Sequence, residues 1–264
     1  MIAAALLLTT ASCAAAVTTT PSPAPGPTLV AVPGASGTLL APPDLAPDRR
    51  QAWLDRIELA TRRLARAGLE PLDDEWDGRL VVELPATSKD YALLAGPDSA
   101  DAAAITHCPQ DGPRITINPA VAGEDPDYLD TLLLHEGVHI ATGSSCAGRA
   151  PQWVEEGLAE LVACEHDADC LAASEQWVVH SLAEHGRPLT LPADSDFRGS
   201  SAEVSAAYAL ARQAVASAVA RLGKPATMAL LDTYYRDVAD AERTRQLTQW
   251  YLADLDRVSA SAPR

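Results

Sequence analysis

Hydrophobic periodicity changes character once along this 264-residue chain, near residue 125. Before that point one helical pattern is followed by short β-branched runs. Trp53, Ile57, Ala60 and Leu64 recur at helical spacing, with Pro47 suited to a first helical turn and Gly68 to a stop. "RLVVEL" (79–84), "AAAITHC" (102–108) and "RITIN" (114–118) then read as strands. The last two flank "PQDG" and predict a hairpin, and a short helix is expected around Tyr91. After residue 125 every pattern is helical. "YLDTLLLHEGVHIAT" can be capped by Asp127 and closed by Gly143. "PQWVEEGLAELVACEHD", "SEQWVVHSLAEHG" and the Ala-rich "SAEVSAAYALARQAVASAVARLG" follow, with two more helices between Pro225 and Val258. This segregation predicts an α+β domain: an N-terminal helix and a small, mostly antiparallel sheet, then a helical half.

The ends of the chain read differently. "MIAAALLLTTASC" is an apolar run too short to span a bilayer as a helix, and it reads as a secretory signal over residues 1–13. Thr10-Ala11-Ser12-Cys13 is similar to a bacterial lipobox, in which the cysteine becomes the lipidated first residue of the mature protein. Thr10 stands where Leu is usual and no Lys or Arg precedes the run, so a plain secreted chain is the alternative. Prolines at 21, 23, 25, 27, 33, 42, 43 and 47 make residues 14–46 an expected disordered Pro/Ala/Thr-rich spacer. The domain is expected over 47–258, with a tail at 259–264. A formal net charge of -16 repels phosphate backbones and argues against nucleic acid as a partner. Membrane contact is expected only through the N-terminal anchor.

Cysteines fit the same exported setting. Without Cys13, four remain: Cys108, Cys146, Cys164 and Cys170. They allow three disulfide pairings, and Cys164–Cys170 with Cys108–Cys146 joins the closest pair in sequence. A four-cysteine metal site is the rival, but it lacks the usual CxxC spacing.

The helix at 127–142 carries His135, Glu136 and His139 as His-Glu-x-x-His. Residues four apart share a helix face, so both imidazoles can reach one point. Glu136 lies about 100° further round, beside a metal and not on it. There it can take a proton from water that zinc activates and pass it to a leaving amine. Leu132, Leu133 and Leu134 make the helix a buried one, and buried His and Glu need partners. A catalytic zinc needs a third protein ligand. A third His six residues on is excluded, because position 145 is Ser. Glu155, Glu156 and Glu160 in the next helix are the candidates.

"HEGVH" followed by "WVEEGLAE" resembles the gluzincin metallopeptidases, especially the bacterial thermolysin-like domains called peptidase MA-like. The likeness covers about 114–162, with "ITINPAV" similar to the strand and turn before the motif helix. It implies a zincin-like fold, Zn²⁺, and Glu156, directly before Gly157, as third ligand. Glu160, one turn on, either accepts the N–H of a ligating His or is a solvated carboxylate. Glu155 is expected to be solvated, and Trp153 to belong to the core. The resemblance also implies an oxyanion-stabilising Tyr or His from a later helix. Tyr208 is the candidate, with a core tyrosine as the alternative, and His180 and His185 are weaker ones. His107 and His166 are expected to be ordinary surface or pocket residues. "RITIN" is expected, by the same resemblance, to form the upper edge of the cleft.

The implied function is zinc-dependent peptide hydrolysis by an exported enzyme, with a peptide or protein substrate, cell-wall peptides included. An exported, non-catalytic zinc-containing binding lipoprotein that retains the fold is the alternative.

Overall fold

The computed structural model describes residues 26–261, apart from 70–76, 97, 98, 100, 148, 149 and 237. The expected signal with Cys13 and the first part of the spacer lie outside the described residues.

The chain is α+β, with its strands ahead of its helical half. Strands β1 (Val30–Pro33) and β2 (Gly37–Ala41) pair antiparallel, Val30 opposite Ala41. Helix α1 (Pro47–Ala67) crosses to β3 (Leu80–Glu83), which runs parallel to β2. After α2 (Ser88–Ala95) the expected hairpin forms from β4 (Ala104–His107) and β5 (Arg114–Ile117). Gly112, at φ 113° in its turn, supplies the left-handed backbone that the hairpin needs. β5 runs parallel to β3, so the sheet order is β1-β2-β3-β5-β4.

Three expectations change here. The folded part begins near Val30, so the second half of the spacer is not disordered. Leu39 and Ala41 are fully buried, and the prolines are placed where a strand tolerates them. Pro33 ends an edge strand, and Pro42 and Pro43 lie just past β2. Gly37 permits the close approach: a Cβ there would meet the Leu80 carbonyl oxygen at 2.2 Å. With β2 included, β2-α1-β3 becomes a parallel crossover unit, and the sheet is mixed, with two antiparallel and two parallel pairings. At the other end, α9 runs to Ser261, into the expected tail.

One face of the sheet packs on helices. Trp53, Ile57, Ala60 and Leu64 of α1 are buried as their spacing predicts. They share a continuous core with Ile115, Ile117 and the helices that follow. On the opposite face Tyr91, Ala95 and Ile105 form a small cluster. Beside it the buried Glu83 accepts from Arg114 at 2.7 Å and Thr116 at 2.8 Å, and faces His107 at 3.4 Å. Burial raises its carboxyl, but these partners outweigh that and hold it at about 2. The cluster clamps β3, β5 and β4 together.

The helical half comprises α3 (Pro126–Ala141), the short α4 (Ser144–Ala147), α5 (Gln152–Cys164), α6 (Ala168–His185), α7 (Ser201–Leu222), α8 (Lys224–Tyr235) and α9 (Ala241–Ser261). The cap of α3 is Asp125, whose carboxylate accepts from Asp127 N; Asp127 sits in the first turn. Ser200 and Glu203 form a capping box on α7. Cysteine pairs stand at bonding distance as Cys108–Cys146 and Cys164–Cys170. The first ties the end of β4 to α4, and the second ties α5 to α6.

Helices α5 and α7 make the most extensive helix–helix contact, and Gly157 packs within it. A Cβ at that position would lie 2.5 Å from the Ala211 carbonyl oxygen and 2.9 Å from Val215 Cγ2. Backbone cannot yield cheaply, so Gly157→Ala must part the helices at a cost of about 1–3 kcal/mol or more. Alanine's better helix propensity returns roughly 1 kcal/mol. Gly157→Ala is expected to lower the urea midpoint and to displace the neighbouring Glu156. An unchanged or higher midpoint would contradict this packing.

Candidate metal centre

Three buried side chains from two helices converge. α3 presents His135 and His139 one turn apart, and α5 presents Glu156 against them. His135 Nε2 lies 3.3 Å and His139 Nε2 3.5 Å from Glu156 Oε2, and the two Nε2 atoms are 3.2 Å apart. All three residues are buried, Glu156 with no exposed surface. Among the described residues they form one of two groups whose ligand atoms lie within 4.8 Å of one another. The other group, Glu160 with Cys164 and Cys170, has its sulfurs engaged in a disulfide.

The ring nitrogens facing away from this point each have a polar neighbour, a hydrogen bond for His139 and an ion-pair distance for His135. His135 Nδ1 lies 3.3 Å from Glu160 Oε1, and His139 Nδ1 lies 3.1 Å from Ser144 Oγ. Such partners fix the tautomer that leaves Nε2 free to ligate. Glu160 is therefore buried and adjacent to His135, not solvated. Ser144 is a residue that the sequence pattern does not single out. It is the first residue of the short α4, where no periodicity marks it.

Glu136 is 3% exposed and lies beside the trio on the sheet side. Thr106 Oγ1, on β4, is 2.5 Å from Glu136 Oε2 and 3.2 Å from the Glu136 carbonyl oxygen. The strand nearest this carboxylate is thus β4. "RITIN" is an interior strand, between β3 and β4, so it does not form the edge. Hairpin pairing makes the two strands equivalent in sequence terms, and only the parallel β3–β5 contact decides which is outermost.

The electrostatics favour positive charge between these three side chains. Burial depresses His135, but the Glu156 and Glu160 carboxylates outweigh it and raise the imidazole to about 10. Burial also opposes charge on His139, yet Glu156 raises it above the ordinary value. Glu156 is lowered to about 2, burial being overcome by the two imidazoles. Neither Glu156 oxygen has an aligned hydrogen-bond partner. A buried carboxylate whose neighbours are poorly aligned is costly, and a cation between it and the two imidazole nitrogens would lower that cost. The donor set of two His and one Glu suits zinc, with a fourth position left for water or substrate.

Tyr208 on α7 is buried against this group, its ring centroid 6.0 Å from that of His135. Burial and the charges of Glu156, Glu136 and Glu160 hold its hydroxyl well above the ordinary range. It therefore stays a proton donor. Glu155 departs from its expected solvation. It is half-buried, and burial raises its carboxyl to about 7. Trp153 is core, edge-on to Tyr234 at 5.4 Å. His166 and His185 are exposed and away from the trio, and His107 belongs to the Glu83 cluster. His180 is exposed on α6 and lies edge-on to Trp177. No protein-family model matches this chain, and the search of curated proteins finds no relative.

Proposed function

We propose that this chain is a zinc-dependent metallopeptidase of gluzincin type that hydrolyses peptide bonds. The observation that carries the reading is the convergence of His135 Nε2, His139 Nε2 and Glu156 Oε2 beside a second, non-ligating carboxylate, Glu136. His135, His139 and Glu156 would hold the ion. Bound there, zinc acts as a Lewis acid that acidifies water and polarises a carbonyl.

The rest of the chemistry belongs to the chain. Glu136 Oε takes the proton of the attacking water and delivers it to the leaving amine nitrogen. Thr106 holds that carboxylate in place through its hydroxyl. The Tyr208 hydroxyl, kept protonated, donates toward the oxyanion that forms at the attacked carbonyl. Glu160 and Ser144 hold the two imidazoles in the ligating orientation. Burial of the whole group strengthens each of these interactions. The two cysteine pairs suit an exported protein, and a lipid anchor at Cys13 would tether it to the outer membrane face.

Purified chain should contain about one zinc and cleave a quenched fluorescent peptide library. A chelator should abolish cleavage, and stoichiometric zinc should restore it. One bound zinc with no cleavage of any library member would instead favour a non-catalytic zinc protein. Cleavage that survives complete zinc removal would overturn the reading.

A further inference from the structure

One disulfide joins the two segments whose hydroxyl groups position the candidate metal centre. Cys108 directly follows β4 and stands two residues from Thr106, whose hydroxyl holds Glu136. Cys146 lies in α4, two residues from Ser144, whose hydroxyl meets His139 Nδ1 at 3.1 Å. The Cys108–Cys146 bond links these segments across 38 residues of sequence. Each segment gains from the link. β4 is the outermost strand of the sheet, beyond β5. α4 is a single turn, too short to keep its shape without tertiary contacts.

Exposure separates this pair from the other one. Cys108 and Cys146 are both exposed, whereas Cys164 is 2% exposed. An exchanging thiolate must reach a disulfide sulfur, and exposed disulfides are the labile and regulatory ones. The bond that a thiol reaches most easily is thus the bond that braces Thr106 and Ser144.

We propose that Cys108–Cys146 is a redox latch on the metal centre, which is fully assembled only while the bond is intact. This rests on the metallopeptidase reading for its consequence, and on the placement of Thr106 and Ser144 for its cause. The latch opens by exchange with a dithiol. One dithiol thiolate attacks a protein sulfur, breaks the S–S bond and forms a mixed disulfide, while the other cysteine leaves and takes a proton. The second dithiol thiolate then displaces the remaining cysteine. In sum the protein pair gains two electrons and two protons, and the dithiol becomes a cyclic disulfide. With the bond open, α4 and the end of β4 move independently. One metal ligand and the general base lose their braces together. His135 and Glu156 depend on neither segment, so zinc binding weakens and does not vanish. A chain held reduced would be idle, and it would become competent in a compartment where disulfides form.

The test compares the wild type with the double variant Cys108→Ser, Cys146→Ser. Zinc affinity is read by competition with a chromogenic chelator, which requires no cleavage, and kcat is measured at saturating zinc. Orienting partners are worth about ten- to a hundredfold in metal affinity or activity. The variant should bind zinc roughly tenfold more weakly, and its kcat should fall by about tenfold or more. A lower melting temperature with unchanged zinc affinity and kcat would reveal a plain structural staple and overturn the inference. Should the variant not fold, the wild type is equilibrated over a series of dithiol-to-disulfide ratios at fixed free zinc. Mass spectrometry after thiol blocking follows each pair, and circular dichroism follows the fold. Activity should fall as Cys108–Cys146 opens, with the helical signal retained, and should return on reoxidation. Activity that stays constant, or that falls only with Cys164–Cys170, would overturn the latch. Weaker zinc binding in the variant of a chain that cuts no peptide would support the latch and sink the peptidase reading. Cleavage and zinc affinity indifferent to the pair would do the reverse.

Discussion

Glu136→Gln is expected to keep its zinc and lose hydrolysis by about two to four orders of magnitude, the range general-base catalysis contributes. The substitution is nearly isosteric. A glutamine amide oxygen can still accept from Thr106, whose hydroxyl lies 2.5 Å from the carboxylate. None of the trio distances involves Glu136, so the ligands His135, His139 and Glu156 stay as they are. What disappears is a group that can take a proton from water and hand it to an amine. Zinc per chain by elemental mass spectrometry, together with kcat on one cleaved peptide, checks both halves. Retained zinc with unchanged kcat would remove Glu136 from the mechanism. Lost zinc would show that the residue is structural to the site.

The pairing of His135 with His139 was legible because its logic is local: the two lie one turn apart in "HEGVH". Spacing left Glu155, Glu156 and Glu160 of "WVEEGLAE" open as the third group, and only the family resemblance singled out Glu156. Helical spacing alone puts His135 with His139, and Glu156 with Glu160, on shared faces. The partners that come from elsewhere were not legible. Thr106 reaches Glu136 across 30 residues of sequence, and Ser144 reaches His139 from the start of α4. Neither position carries a pattern, because a single hydroxyl contact needs only one well-placed residue.

The same division holds for the fold. α1, α2, the β4–β5 hairpin, α3 and the helices from α5 to α9 follow from periodicity and turn residues, whereas α4 carries no such signal. β1 and β2 were masked by the prolines around them, since composition averages over a window that the backbone does not. Omitting β2 hid the parallel crossover through α1, and with it the strand order that places β4 outside β5. Glu155 shows the limit of helical-wheel reasoning. One residue from Glu156, it was expected to be solvated, yet the surrounding chain half-buries it and lifts its carboxyl to about 7.

Glu156→Gln is expected to weaken zinc binding more than any change to a group that only orients a ligand. Loss of an orienting partner such as Glu160 costs about ten- to a hundredfold in metal affinity. Glu156 supplies the only carboxylate of the trio and the charge that two buried imidazoles face, so its loss should exceed a hundredfold. Glutamine keeps the volume at a site with no exposed surface, which limits the structural cost to the charge itself. Thermal unfolding converts this into a number. At free zinc near one hundred times the wild-type dissociation constant, the wild type gains about 2.7 kcal/mol of stability. A variant bound a hundredfold more weakly gains about 0.4 kcal/mol under the same conditions. Zinc should therefore raise the wild-type melting temperature by several degrees and barely move that of Glu156→Gln. Equal shifts in the two chains would mean that zinc binds elsewhere, and that the third ligand is not Glu156.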